Sequence, residues 1–340
     1  MAEITYLIGA GASYNALPIV SQMSKRIVIA SAWLERQYQV HHIPNRGNTA
    51  DSQKFTKVIE DLNWLKEICD TSKNFSVDTY ARKLNLAGKD EEYQKLKNIL
   101  SFYFTLEQKI NSPDIRYDNF WASILKHKSV FPSNIKIISW NYDFQFELTY
   151  QDFLGANSLS DARDALRVVS LETPRLDIKF DYPHLFGIFK LNGSATFNSN
   201  RENGTNYLID NFNELKNDDF IIELVNKYEL LCKNVFYKNH LSFAWDNKIN
   251  IPFYNLLKES VKNTEILVVI GYSFPFFNRE IDKLILNDFM GDNLKKVYFQ
   301  APASDIEDIR ERFLAINNKI DPSNLLLRTD IKQFTLPNEL

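Results

Sequence analysis

Asn141 and Asp143 stand two residues apart directly after the apolar run Ile135–Ser139. An amide and a carboxylate so placed suit a ribose hydroxyl, a water or a carboxamide. The same side chains also suit the cap of a following helix, so the pair alone leaves both uses open. A second cluster, Gly9-Ala10-Gly11-Ala12-Ser13, follows the apolar run Ile4–Ile8. A tight glycine turn that exposes backbone N–H groups and opens onto a helix N-terminus suits a diphosphate. It departs from the usual dinucleotide fingerprint, because Tyr14 holds the third glycine position and no clear strand-end acid follows about twenty residues later. Nor is it a P-loop, since Lys followed by Ser or Thr is missing. A glycine turn with no ligand remains the alternative. Two more polar clusters, Asn192-Gly193-Ser194 and Gly271-Tyr272-Ser273, each end an apolar run in the same way.

The elements that must position these clusters are five short runs rich in Ile, Val, Leu and Phe, which read as buried strands. They are Ile4–Ile8, Ile135–Ser139, residues 185–191, Ile266–Ile270 and residues 297–300. Polar clusters at successive strand ends are what a parallel sheet uses to build a ligand crevice along its carboxyl edge. Between the strands, apolar residues recur at helical spacing. Phe55, Val58, Ile59, Leu62, Leu65 and Ile68 form one stripe, and Tyr93, Leu96, Leu100, Tyr103, Leu106 and Ile110 another. Residues 30–130 therefore read as a helical insertion. Ile221, Leu224, Val225, Tyr228, Leu231 and Val235 mark a second one over residues 200–262. These stripes read as core-facing. Residues 198–206 are the most polar, loop-like stretch.

Composition narrows the functional classes. With 340 residues, 44% hydrophobic and 24% charged, the chain can bury a large core. Its 40 Lys and Arg against 43 Asp and Glu give a net charge of −3, which supplies no general field for a phosphate backbone. Direct nucleic-acid binding is not expected. Cys69 and Cys232 are the two cysteines, too few for a disulfide framework or a four-cysteine zinc site, so no metal is expected. No stretch approaches the ~20 apolar residues of a membrane span, and no basic and apolar leader precedes the first strand. The chain is expected to be cytoplasmic. Its 25 Phe and 16 Tyr point to a contact surface for self-association or a partner.

Taken in order, the clusters resemble those of the sirtuin-like superfamily. Gly9-Ala10-Gly11-Ala12-Ser13 resembles its GAGAS turn, Asn141-Tyr142-Asp143 its Asn-x-Asp strand end, Lys190-Leu191-Asn192-Gly193-Ser194 its KLHGS element and Gly271-Tyr272-Ser273 its Gly-x-Ser turn. The stretch from Phe274 through Asn278 to Asp282 is similar to the GYSF…ID pattern of bacterial sirtuin-like proteins. Ser76 to Leu84 resembles a segment of their helical insertion.

The resemblance implies one α/β domain over residues 1–340, a Rossmann-like parallel sheet with helices on both faces and two helical insertions. It implies an NAD site in which Gly9, Ala10, Gly11, Ala12 and Ser13 meet the diphosphate, Gly271 and Ser273 meet the adenosine side, and Gly193 and Ser194 belong to the same cofactor surface. Asn141 would lie closest to the nicotinamide riboside bond, and Asp143 would hold the carboxamide or the departing base. Asn192 stands where the family has its catalytic histidine. An amide is no general base at neutral pH, so Asn192 would act by position, with His184 as a candidate substitute base. His41, His42, His127 and His240 fall in insertion segments, where a solvated role is expected. The missing zinc module argues against peptide deacetylation.

The expected activity is hydrolysis of NAD to nicotinamide and ADP-ribose, as in effectors of antiphage defence by abortive infection. The trigger would be a separate partner: a HerA-like ATPase, a nucleotide-processing protein or an Argonaute-like protein, with self-association alongside. A sensor that binds NAD or ADP-ribose without cleaving it, and an ADP-ribosyl transferase, are the alternatives.

Overall fold

The computed structural model describes residues 1–41, 49–70, 72–125, 127, 130–156, 158–171, 182–199, 217–233, 237–246 and 251–340. The chain opens with β1 (Ile4–Ile8), then the helices α1 (Met23–His41), α2 (Thr49–Ile68), α3 (Val77–Leu86), α4 (Asp90–Ile110) and α5 (Ile115–Ile124). It continues through β2 (Ile135–Ser139), α6 (Gln145–Leu154), α7 (Leu159–Ala165), β3 (Val168–Ser170), β4 (Gly187–Lys190) and β5 (Gly193–Ser199). After α8 (Asn217–Cys232), β6 (Tyr237–Leu241) and α9 (Ile251–Val261) come β7 (Ile266–Ile270), α10 (Arg279–Lys283), β8 (Lys296–Gln300), α11 (Ile306–Leu314) and β9 (Leu325–Arg328).

Seven strands form one parallel sheet in the order β3-β4-β2-β1-β7-β8-β9, the α/β architecture expected from the sequence. β1 lies centrally. From it the chain builds outward through β2 and β4 on one side, then returns to add β7, β8 and β9 on the other. The order therefore reverses between β1 and β7, the kind of switch point where open α/β sheets bind ligands outside their carboxyl ends.

β1, β2 and β7 are buried along their whole length, which explains their near-continuous apolar sequences. Alternate residues serve opposite layers. Tyr6, Ile137 and Val268 face a core shared with Phe120 and Trp121 of α5 and Phe146 of α6. Leu7, Ile138 and Val269 face one shared with Phe253 and Leu257 of α9 and Phe313 of α11. A third core joins α1, α2, α3, α4 and α8, using the stripes read from the sequence.

The sequence reading missed three features. β3 has three residues and β9 four, too short to show a period, and β5, just before the span 200–262 expected to be helical, pairs antiparallel with β6 inside it. The run 185–191 pairs only over Gly187–Lys190. Val235, His42 and residues 200–206 lie outside the described residues.

Candidate functional site

Register brings the clusters together. Ile8 pairs with Ser139 on one side and with Ile270 on the other, and Ser139 pairs with Lys190. The residues that follow β1, β2, β4 and β7 therefore emerge along one carboxyl edge.

The loops after β1 and β7 touch through backbone. Gly11 N donates to Gly271 O at 3.0 Å, and Gly9 N to Ile270 O at 3.0 Å. Gly271 has φ +61°, and a Cβ there would lie 2.2 Å from Ala12 N and 2.4 Å from Gly11 C. A Cβ on Gly9 would come within 2.5 Å of Tyr272 Cα. The glycines thus allow two loops to pack without side chains between them. The turn differs from the long-helix entry expected of it. Residues Ala10–Ser13 form one 3-10 turn, the first α-helix starts only at Met23, and the N–H groups of Gly9, Gly11 and Ala12 are all bonded within the protein. Ala10 is its exposed residue.

Asn141 is buried rather than facing solvent, at 7% exposure. Its Nδ2 donates to Gly9 O at 3.1 Å and to Ser13 Oγ at 3.4 Å. Ser13 Oγ donates to Asp143 Oδ2 at 2.8 Å and lies 2.8 Å from Tyr117 Oη. A carbonyl can only accept, so the atom facing Gly9 O must be the amide nitrogen. That fixes the orientation of Asn141 and leaves its Oδ1 available.

Asn192 is fixed by the same argument. Its Nδ2 donates to Trp140 O at 3.0 Å, and its Oδ1 is buried with no hydrogen-bond partner. An unsatisfied buried acceptor costs about 1–3 kcal/mol, so it calls for an explanation. Gly193 follows with φ +69°, and Ser194 Oγ is likewise buried and unpartnered. Ser273 is exposed, and its carbonyl accepts from Arg312 Nη1 at 3.1 Å.

Further residues hold this edge, Lys190 and Asp282 from the quoted motifs and others, such as Arg116 and Glu147, not singled out in the sequence. Arg116 Nη2 donates to Ala12 O at 2.6 Å and pairs with Asp114. Behind Asp143, Lys190 Nζ donates to the Asp143 carbonyl and lies 2.8 Å from Glu147 Oε1, which Arg163 also contacts at 2.8 Å. Burial pushes the Asp143 carboxyl up and the Lys190 ammonium down, and the Lys190 charge opposes the shift of Asp143. Asp282 receives Trp140 Nε1 at 3.2 Å and Tyr272 Oη at 2.8 Å, joining the loops after β2 and β7, whose two rings stack at 6.0 Å. Burial raises its carboxyl to about 8. α4 also reaches the edge: Thr105 Oγ1 donates to Ala195 O at 2.9 Å and Gln108 Oε1 accepts from Phe144 N at 2.6 Å.

The histidines fall differently from expectation. His184 is exposed and precedes β4, at the sheet end opposite the clusters, so it is no substitute base. His127 is exposed. His240, expected on the surface, is instead buried on β6, where loss of water and the nearby Arg163 push its imidazole down to about 4. Pairing periodicity would have been needed to see this, and β6 is only five residues long.

Among the described residues no helix is long and apolar enough to cross a membrane, and no group of His, Cys, Asp or Glu is placed to hold a metal ion. Comparison with protein-family models gives no match, and comparison with curated protein sequences gives none either.

Proposed function

We propose that this chain is a sirtuin-like NAD glycohydrolase that releases nicotinamide and ADP-ribose, acting as a defence effector under the control of a partner. The observation that carries this reading is the pair of fixed asparagines at adjacent strand ends. Asn141 and Asn192 each spend their amide nitrogen on a backbone carbonyl and keep a carbonyl oxygen for a ligand. Two such acceptors suit ribose hydroxyls and an attacking water. They also place negative partial charge where an oxocarbenium-like centre develops.

The chemistry asks little more of the protein. The departing nicotinamide takes the bonding electron pair onto its pyridinium nitrogen and leaves neutral, so no general acid is required. Asp143, held by Ser13, is suited to the carboxamide of the base. The diphosphate would rest on the Ala10 and Gly11 surface, and the adenosine side on Gly271 and Ser273, at the switch point.

The test is incubation of the purified chain with NAD, alone and with proteins encoded beside it, followed by chromatography. Nicotinamide and ADP-ribose should appear, and Asn141→Ala should lower their formation by ~10²- to 10⁴-fold. NAD binding without products would favour a sensor, and label retained on protein a transferase. Unchanged cleavage in folded Asn141→Ala would remove this edge as the active site.

A further inference from the structure

The antiparallel pair β5/β6, with α8 between its strands in the chain, begins at Gly193 within the Asn192 cluster, and its two sides differ in kind. Ala195 and Leu241 pack into the core of the helical insertion, and Asn239 donates from Nδ2 to Lys97 O on α4 at 2.8 Å. The pairing of β5 with β6 shifts register between Gly193 and Phe197, so Ser194 and Thr196 flank Ala195 in an irregular stretch, and His240 is the β6 residue across from it. Gly193 pairs with Leu241, and Ser242 N donates to Asn192 O at 2.9 Å, which sets His240 and Ser242 beside this row.

This stretch is polar, buried and unsatisfied. Asn192 Oδ1, Ser194 Oγ and Thr196 Oγ1 all lack a hydrogen-bond partner, with Ser194 at 1% and Thr196 at 0% exposure. Three such groups, one just before β5 and two in its irregular stretch, are hard to reconcile with a dry core, since each would forfeit its hydrogen bonds. A row of water is the neutral partner that satisfies donors and acceptors alike. Across from Ser194 and Thr196, between the residues that pair with Gly193 and Phe197, lies His240, its imidazole kept uncharged by burial and by the cations Arg163, Lys238 and Lys97.

We infer that Asn192, Ser194, Thr196 and His240 form a hydrated relay that carries the proton of the attacking water from the ribose to the His240 imidazole. The inference rests on the glycohydrolase reading. Water oxygen bonds to the ribosyl C1′ as the bond to nicotinamide breaks and its electron pair goes to the pyridinium nitrogen. The proton of that water passes along the row to the imidazole and later to solvent. Asn192 positions the water and His240 supplies the base that an amide lacks.

Hydrolysis of NAD is to be compared with exchange of labelled nicotinamide into NAD, because exchange forms and breaks the same C1′–N bond without removing a proton. On the full chain, His240→Gln and Thr196→Val should each lower kcat for hydrolysis, His240→Gln by ~10²-fold, with KM and exchange within about two-fold of the wild type. Thr196→Val removes an unpartnered group and should fold normally, so it carries the test if His240→Gln does not fold. Hydrolysis unchanged in the folded variants, or hydrolysis and exchange falling together, would overturn the relay while leaving the glycohydrolase intact. A wild-type chain with neither hydrolysis nor exchange would overturn both.

Discussion

Asp282 offers a test of the candidate site that needs no substrate. Its carboxyl is 1% exposed, accepts from Trp140 and Tyr272, and is raised by burial from 3.8 to about 8. Between those values the unfolded chain has this group ionised while the folded chain keeps its proton. The folded state then binds more protons, so stability falls as pH rises and the slope ends near pH 8. Other groups shift as well, Asp78 up to about 6 and His240 from 6.5 down to about 4 among them, so Asp282 is read from the difference between the wild type and a variant that cannot ionise there. From pH 6.5 to 8, at ~1.4 kcal/mol per unit, that difference is worth about 2 kcal/mol. Asp282→Asn keeps the shape and removes the ionisation. Urea midpoints measured every half unit should show the variant gaining on the wild type across this interval, by an amount comparable to a typical core substitution. Parallel profiles for the two proteins would refute the assignment of Asp282 as a buried protonated clamp between the loops after β2 and β7.

Gly271→Ala would place a Cβ 2.2 Å from Ala12 N in a left-handed conformation that itself costs ~1–2 kcal/mol, so it should lower the urea midpoint and abolish NAD binding by calorimetry. Lys190→Met leaves Glu147 buried with Arg163 and strips Asp143 of its opposing charge, and a loss of about 3–5 kcal/mol in denaturant unfolding is expected. His240, whose folded value lies below its unfolded one, contributes stability that is complete above pH 6.5 and lost as pH falls towards 4. Melts of His240→Gln over that range should therefore be flatter than wild type. Elemental analysis should find fewer than about one zinc per ten chains, since Cys69 and Cys232 provide no four-ligand set.

The sheet was legible in the sequence because its central strands are buried on both faces. Ile4–Ile8, Ile135–Ser139 and Ile266–Ile270 carry that burial as unbroken apolar runs, and each ends in a polar cluster. Edge strands lack this signature: β9 is half exposed, and β3 is too short to distinguish from a loop. The polar residues of the edge were legible by type but not by partner. That Asn141 bonds to Gly9, 132 positions away, depends on the register of β1 with β2. Arg116, Glu147 and Asp282 are charged residues in helical segments and Lys190 ends a buried strand, and only the fold shows which partner each is buried against.

On the proposed glycohydrolase reading, an asparagine rather than a histidine at position 192 need not remove chemistry from such an edge. An imidazole there would combine two tasks, accepting a hydrogen bond from the ribose or water and taking up its proton. The amide of Asn192 retains the first, because Trp140 O holds Nδ2 and turns Oδ1 into a fixed acceptor. The second can move to a group farther away if a polar path joins them, which the proposed relay through Ser194 and Thr196 to His240 would supply. Its cost is a set of unsatisfied groups at positions where Val or Ala would fold more stably. Ser194 and Thr196, at 1% and 0% exposure, are therefore where a purely structural role and the proposed relay predict opposite effects of removing a hydroxyl: a gain in stability with unchanged hydrolysis for the first, a loss of hydrolysis for the second.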